Sequence, residues 1–195
     1  MALSTANQPV IVCSDCVSDQ ADISAKLAMH YDDIFACQLV QLEPMIERDT
    51  SSIVVVSWHQ PTAELRLIVE LCKDKQVPLV VIIKQLNSID INRLPESNDF
   101  VILPFDSAFD LKPWIDHSIQ VREKSIAMQH QMQQLISKLE ERKWIEKAKG
   151  LLMKMHQLDE DNAYRVLRTS AMQSSLSLGQ VARNIIHTVD SINIK

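Results

Sequence analysis

The feature that most constrains this chain is the segment from Pro113 to Met155, which holds no further proline and only one glycine, Gly150. Proline breaks helices strongly and glycine weakly, so nothing here forces an interruption and the segment predicts one long helix. Ile145, Ala148, Leu152 and Met155 share one face at helical spacing. Cations flank that stripe, with Arg142 and Lys149 seven residues apart and Lys147 and Lys154 likewise. Farther back, Val121, Met128, Met132, Leu135 and Leu139 follow a heptad-like rhythm, broken at Ser125. That rhythm predicts the seam of a coiled-coil homodimer, since the apolar stripe would otherwise stay wet; the alternative is a helix that packs on its own domain up to about Arg122, with a solvated linker beyond.

His156-Gln157-Leu158 ends the long helix, and Asp159 can cap the next one with its carboxylate near the helix dipole. Ser177-Leu178-Gly179-Gln180 has the spacing of a capping box and marks a third helix, carried by Leu178, Val181, Ala182, Ile185 and Ile186. Ala148, Ala163, Ala171 and Ala182 are small residues on the facing stripes that let helices approach closely.

The run Ala148-Lys149-Gly150-Leu151-Leu152-Met153, followed by Ala163-Tyr164, Leu167-Arg168, Ala171-Met172 and Val181-Ala182, resembles the ANTAR domain of transcription antitermination regulators of the AmiR/NasT type. The resemblance covers roughly Leu139 to Ile186, and Glu141 to Met155 is most similar to the nitrate-responsive NasT branch. It implies a non-enzymatic regulator, without cofactor, that binds paired stem-loops in a leader mRNA and keeps a terminator from forming. It also implies a ligand-sensing partner like a periplasmic binding protein, with nitrate or nitrite as the ligand.

Unpaired loop bases are read by stacking and edge hydrogen bonds, while Lys and Arg neutralise phosphates. Lys149 and Arg168 are the primary candidates for RNA contact, supported by Arg142, Lys147 and Arg165. Tyr164 can stack a base, although an aromatic at this helical position is more often a core residue. Gly150 offers either close backbone approach or a helix-packing contact. Ala148, within the motif, is first a packing residue.

The N-terminal part reads differently. Val10 to Cys13, Ser52 to Val56, Val77 to Ile83 and Phe100 to Leu103 are β-branched runs, with a fifth strand near Phe35 to Val40. Helical patterns separate them, as at Ile23 and Leu27 or Leu65, Ile68, Val69 and Cys72. Near-continuous apolar strands alternating with helices predict an α/β, doubly wound parallel five-stranded sheet. The pattern resembles the receiver domain of response regulators, in degenerate form. The resemblance places Ser57 at the phosphoacceptor position, Asp15 at one residual acidic position, Ile83 where a hydroxyl belongs and Leu103, before Pro104-Phe105, where a lysine belongs. Asp49 and Asp106 are the conceivable displaced carboxylates. A serine alcohol without a full metal-binding acidic set lacks the means to form an acyl phosphate. The expected organisation is a pseudo-receiver over residues 1–118, a coiled-coil linker over 119–138 and an ANTAR module over 139–195.

Charge supports the division. Residues 1–111 hold 7 Lys/Arg against 16 Asp/Glu, a balance of −9, whereas residues 138–183 hold 9 against 6, a balance of +3. Only the later part suits a polyanion, although a solvated helix face accounts for so small an excess equally well. Four scattered cysteines, no basic-then-apolar N-terminus and no apolar run near the roughly 20 residues of a membrane span predict a cytoplasmic protein that avoids membranes. Cys13 and Cys16 form an isolated pair with no second pair at metal spacing. With Gly150 and Gly179 the only glycines, no glycine-rich phosphate loop is possible. His59 has no recognisable catalytic partners. A DNA-binding response regulator and a pure protein-interaction adaptor are the alternatives. The first suffers from a third helix in which Arg183 is the only fixed cation.

Overall fold

The structure, a computed structural model, describes residues 8–85, 99–104 and 110–193. The elements are β1 (Val10–Ser14), α1 (Val17–Leu27), β2 (Ile34–Cys37), α2 (Leu39–Arg48), β3 (Ile53–Trp58), α3 (Ala63–Asp74), β4 (Leu79–Ile83), β5 (Val101–Pro104), α4 (Lys112–His156), α5 (Glu160–Ser174) and α6 (Leu178–Asn193). The chain divides into two compact units at Met128/Gln129, within α4.

In the first unit the strands form one parallel sheet in the order β2-β1-β3-β4-β5. This is the predicted doubly wound sheet. β3 and β4 are buried along their whole length, which explains why they read as continuous apolar runs rather than alternating ones. One face packs Val54, Val56, Leu65, Ile68 and Leu79; the other packs Val10, Val12, Val55, Val80 and Ile115. α2 carries Pro44 inside it.

The start of α4 belongs to this unit. Ile119 and Val121 pack against the second core, the Arg122 Nε donates to the Val77 carbonyl at 3.1 Å, and the Ser125 hydroxyl donates to Asp99 at 2.8 Å. Val121 therefore leaves the predicted seam, and the first unit extends past residue 118. Val121 is partly buried against the first unit's own core, which leaves it unavailable to a second chain.

At the C-terminal edge of the sheet, β3 runs two residues further than its apolar run predicts. Ser57 consequently lies inside the strand, fully buried, in register with Ser14 and Ile82. Asp15 accepts a hydrogen bond from the His59 backbone at 2.9 Å. Beside it, the Lys84 ammonium lies 2.5 Å from a carboxylate oxygen of buried Asp19. That contact raises the Lys84 pKa. Neither Asp19 nor Lys84 was singled out from sequence. Ile83 ends β4 and Leu103 lies in β5, whereas Phe105 and Asp106 lie outside the described residues. Asp49 caps the end of α2 and accepts hydrogen bonds from Ser51, remote from the strand ends that carry Asp15 and Ser57.

Candidate nucleic-acid interface

The second unit is built from the rest of α4 and from α5 and α6. Asp159 accepts a hydrogen bond from the Asn162 backbone at 2.7 Å and so starts α5, as its carboxylate predicts. The Ser177 and Gln180 side chains each accept a hydrogen bond from the other's backbone, which is the predicted capping box of α6. Gln157 and Ser175 adopt positive φ of 55° and 53° where α4 and α5 end. The core comprises Ala148, Leu152, Ala163, Leu167, Ala171, Val181, Ala182 and Ile186. The alanines fall where the helices meet, so Ala148 is a packing residue here.

An unforeseen carboxylate fixes α6. The Glu141 side chain accepts a hydrogen bond from the Gly179 backbone at 3.1 Å, and a Cβ at residue 179 would meet Glu141 Cγ at 2.4 Å. A side chain at Gly179 would push the Glu141 side chain aside, while a Cβ at Gly150 would meet nothing within 4 Å. The packing explanation for Gly150 does not hold in this chain. Its backbone is open to approach.

The predicted contact residues separate into two groups. Lys149 is only 8% exposed, and its ammonium donates to Glu160 at 2.7 Å and to Glu146 at 2.9 Å. The hydrogen bond to Glu160, then that to Glu146, raises the Lys149 pKa; the same bond lowers that of Glu160. Glu160 begins α5, with Tyr164 and Arg168 at successive four-residue steps along one flank. Tyr164 is 44% exposed, which corrects the core alternative. Arg168 and Arg165 are exposed, as is Arg142, two turns before Lys149 on α4. Arg142, Lys149, Tyr164 and Arg168 thus mark the α4–α5 flank, with Arg165 adjoining it.

Lys147 belongs elsewhere. Two residues from Lys149 on the helix, it points about 200° away, toward α6, with its ammonium 3.8 Å from Asp190. Also on the α6 side, the Arg183 guanidinium carbon lies 5.2 Å from the Trp144 ring centroid. Sequence reasoning missed Glu146 and Glu160 as holders of Lys149, and Trp144 with Arg183 as a pair. Only the Glu146–Lys149 contact carried a local signal, its three-residue helical spacing.

This architecture meets an independent match: residues 133–186 fit the family model described as the ANTAR domain. The second unit carries an ANTAR domain. The Transcriptional regulatory protein PdtaR of Mycobacterium tuberculosis, from strains CDC 1551 / Oshkosh and ATCC 25618 / H37Rv, is 27% identical to the chain over 122 residues. The match spans 62% of this chain and 59% of those relatives' length. The matched ANTAR segment includes the Lys149 cluster, Tyr164 and Arg168, and both sides of the Trp144–Arg183 pair. No described helix is long and apolar enough to cross a membrane.

Proposed function

We propose that this protein is an RNA-binding transcription antiterminator that grips paired stem-loops in a leader mRNA through its ANTAR domain. The observation that carries the reading is the α4–α5 flank marked by Arg142, Lys149, Tyr164 and Arg168, with the open backbone of Gly150 next to Lys149 in the chain. Tyr164 offers a stacking face, the arginines take phosphates, and Gly150 lets a sugar or base come close. Lys149 joins them by exchanging its carboxylate partners for a phosphate.

Two stem-loops call for two domains. Met128, Met132, Leu135 and Leu139 stay exposed along α4 and form the proposed homodimer seam. The first unit acts as a pseudo-receiver, a docking platform rather than a phosphorylation module, because Ser57 replaces the carboxylate nucleophile and Lys84 neutralises Asp19. A ligand-sensing partner like a periplasmic binding protein would hold the regulator until nitrate or nitrite releases it, placing nitrate assimilation genes under its control. The relatives' name as a transcriptional regulatory protein supports a regulator rather than an enzyme.

The test is a gel shift of wild type and Arg168→Ala/Arg142→Ala on RNA with two adjacent stem-loops, with matching duplex DNA as control. Selective RNA binding that the folded double variant loses supports the reading. Equal affinity for the duplex DNA would favour a DNA regulator, and no nucleic-acid binding an adaptor.

A further inference from the structure

The α4–α6 side of the ANTAR domain holds an arrangement that the α4–α5 flank does not use. Glu140, Lys143, Trp144, Lys147, Arg183 and His187 line a groove of about 650 Å³. Trp144 is half-buried and packs on the domain core, so its ring is held in place, while Lys143, Lys147, Arg183 and His187 are exposed. The guanidinium over the indole is a cation–π pair, and Arg183 is itself exposed to solvent. Three fixed cations, Lys143, Lys147 and Arg183, share the groove with the Glu140 carboxylate, and Lys147 also reaches Asp190. The Lys147–Asp190 pair is 3.8 Å long with both side chains more than half exposed, so it yields readily to a stronger anion.

An aromatic platform, a planar cation and two lysines one helical turn apart match the chemistry of an unpaired nucleotide, which presents a flat base and a phosphate. A protein segment would find fewer apolar anchors here. We propose that this groove is a second RNA subsite, in which an unpaired base stacks on the Arg183–Trp144 pair while its phosphate sits between Lys143 and Lys147. The proposal rests on the RNA-binding reading and deepens it: a stem-loop would be held from two sides of α4.

The experiment uses the full chain and an RNA of two adjacent stem-loops with randomised loop nucleotides. Wild type, Lys143→Gln/Lys147→Gln/Arg183→Gln, Trp144→Phe and Arg168→Ala are compared by RNA affinity at several salt concentrations and by tryptophan emission, with circular dichroism confirming the fold. The triple variant should lose tenfold or more in affinity, and its salt slope should shrink by roughly 0.7 for each lost phosphate contact. RNA should quench wild-type emission, and that quenching should vanish in Trp144→Phe. If wild type and triple variant bind alike with the same salt slope while Arg168→Ala weakens binding, the subsite is overturned and the RNA-binding reading stands. If wild type binds none of these RNAs, both fall. Emission that RNA leaves unchanged overturns the stacking.

Discussion

Lys149 of α4 and Glu160 of α5 are joined by a 2.7 Å ion pair that ties the end of the long helix to the first turn of the next. The contact neutralises the lysine that the sequence marks most strongly for phosphate contact. In the proposed RNA complex that side chain would serve two anions in turn, the protein's own carboxylate and an RNA phosphate.

Glu160→Gln tests that exchange. With the competing carboxylate gone, RNA affinity should rise by roughly three- to tenfold, while Lys149→Ala should lower it. An affinity unchanged in both variants would remove Lys149 from the interface.

The same pair gives a pH signature. The folded Glu160 pKa lies below its ordinary value of 4.5, so its contribution is fully present above that pH and is lost as pH falls through the folded value. The folded Lys149 pKa lies above 10.5, so its share is fully present below that pH and is lost as pH rises through the folded value. The stability difference between wild type and Glu160→Gln should be flat from about pH 5 to 10 and shrink in acid. Urea unfolding at neutral and acid pH measures it; a difference that persists unchanged in acid would contradict the pairing.

The two glycines should respond in opposite ways to alanine. Gly150→Ala adds helix propensity in open space and should stabilise by about 0.5–1 kcal/mol while weakening RNA binding. Gly179→Ala drives the Glu141 side chain off its cap and should cost about 1 kcal/mol. In a Glu141→Ala background that cost should disappear, and chemical melts of the four variants would show whether the two sites are coupled.

The exposed stripe on α4 predicts its own disruption. Wild type should run as a dimer in light scattering and Met132→Glu/Leu135→Glu as a folded monomer, with weaker binding to a two-stem-loop RNA. A variant that keeps the mass of wild type would place dimerisation elsewhere or nowhere.

Acetyl phosphate with Mg²⁺ should leave no acyl phosphate on the first unit. Mass spectrometry at neutral pH, with hydroxylamine sensitivity as the check, would detect one and so restore a phosphorylation role.

Sequence alone determined the features that rest on local period and local bonding. Strand and helix order, the near-complete extent of α4, the Asp159 cap and the Ser177–Gln180 box follow from residues within a turn or two of each other. The family resemblance lay in the same short windows, from Ala148 to Met153 and from Ala163 to Met172. Tertiary structure decided which neighbour each side chain meets. It buried Lys149 against Glu160, sent Lys147 to Asp190, put Arg183 over Trp144 and set Glu141 against Gly179, contacts spanning 11 to 43 residues of chain. Val121 shows the same limit: its spacing suits a dimer seam, but a sheet folded from distant strands reaches it first. Periodicity fixes the face on which a residue lies, whereas the packing of separate helices fixes what that face touches.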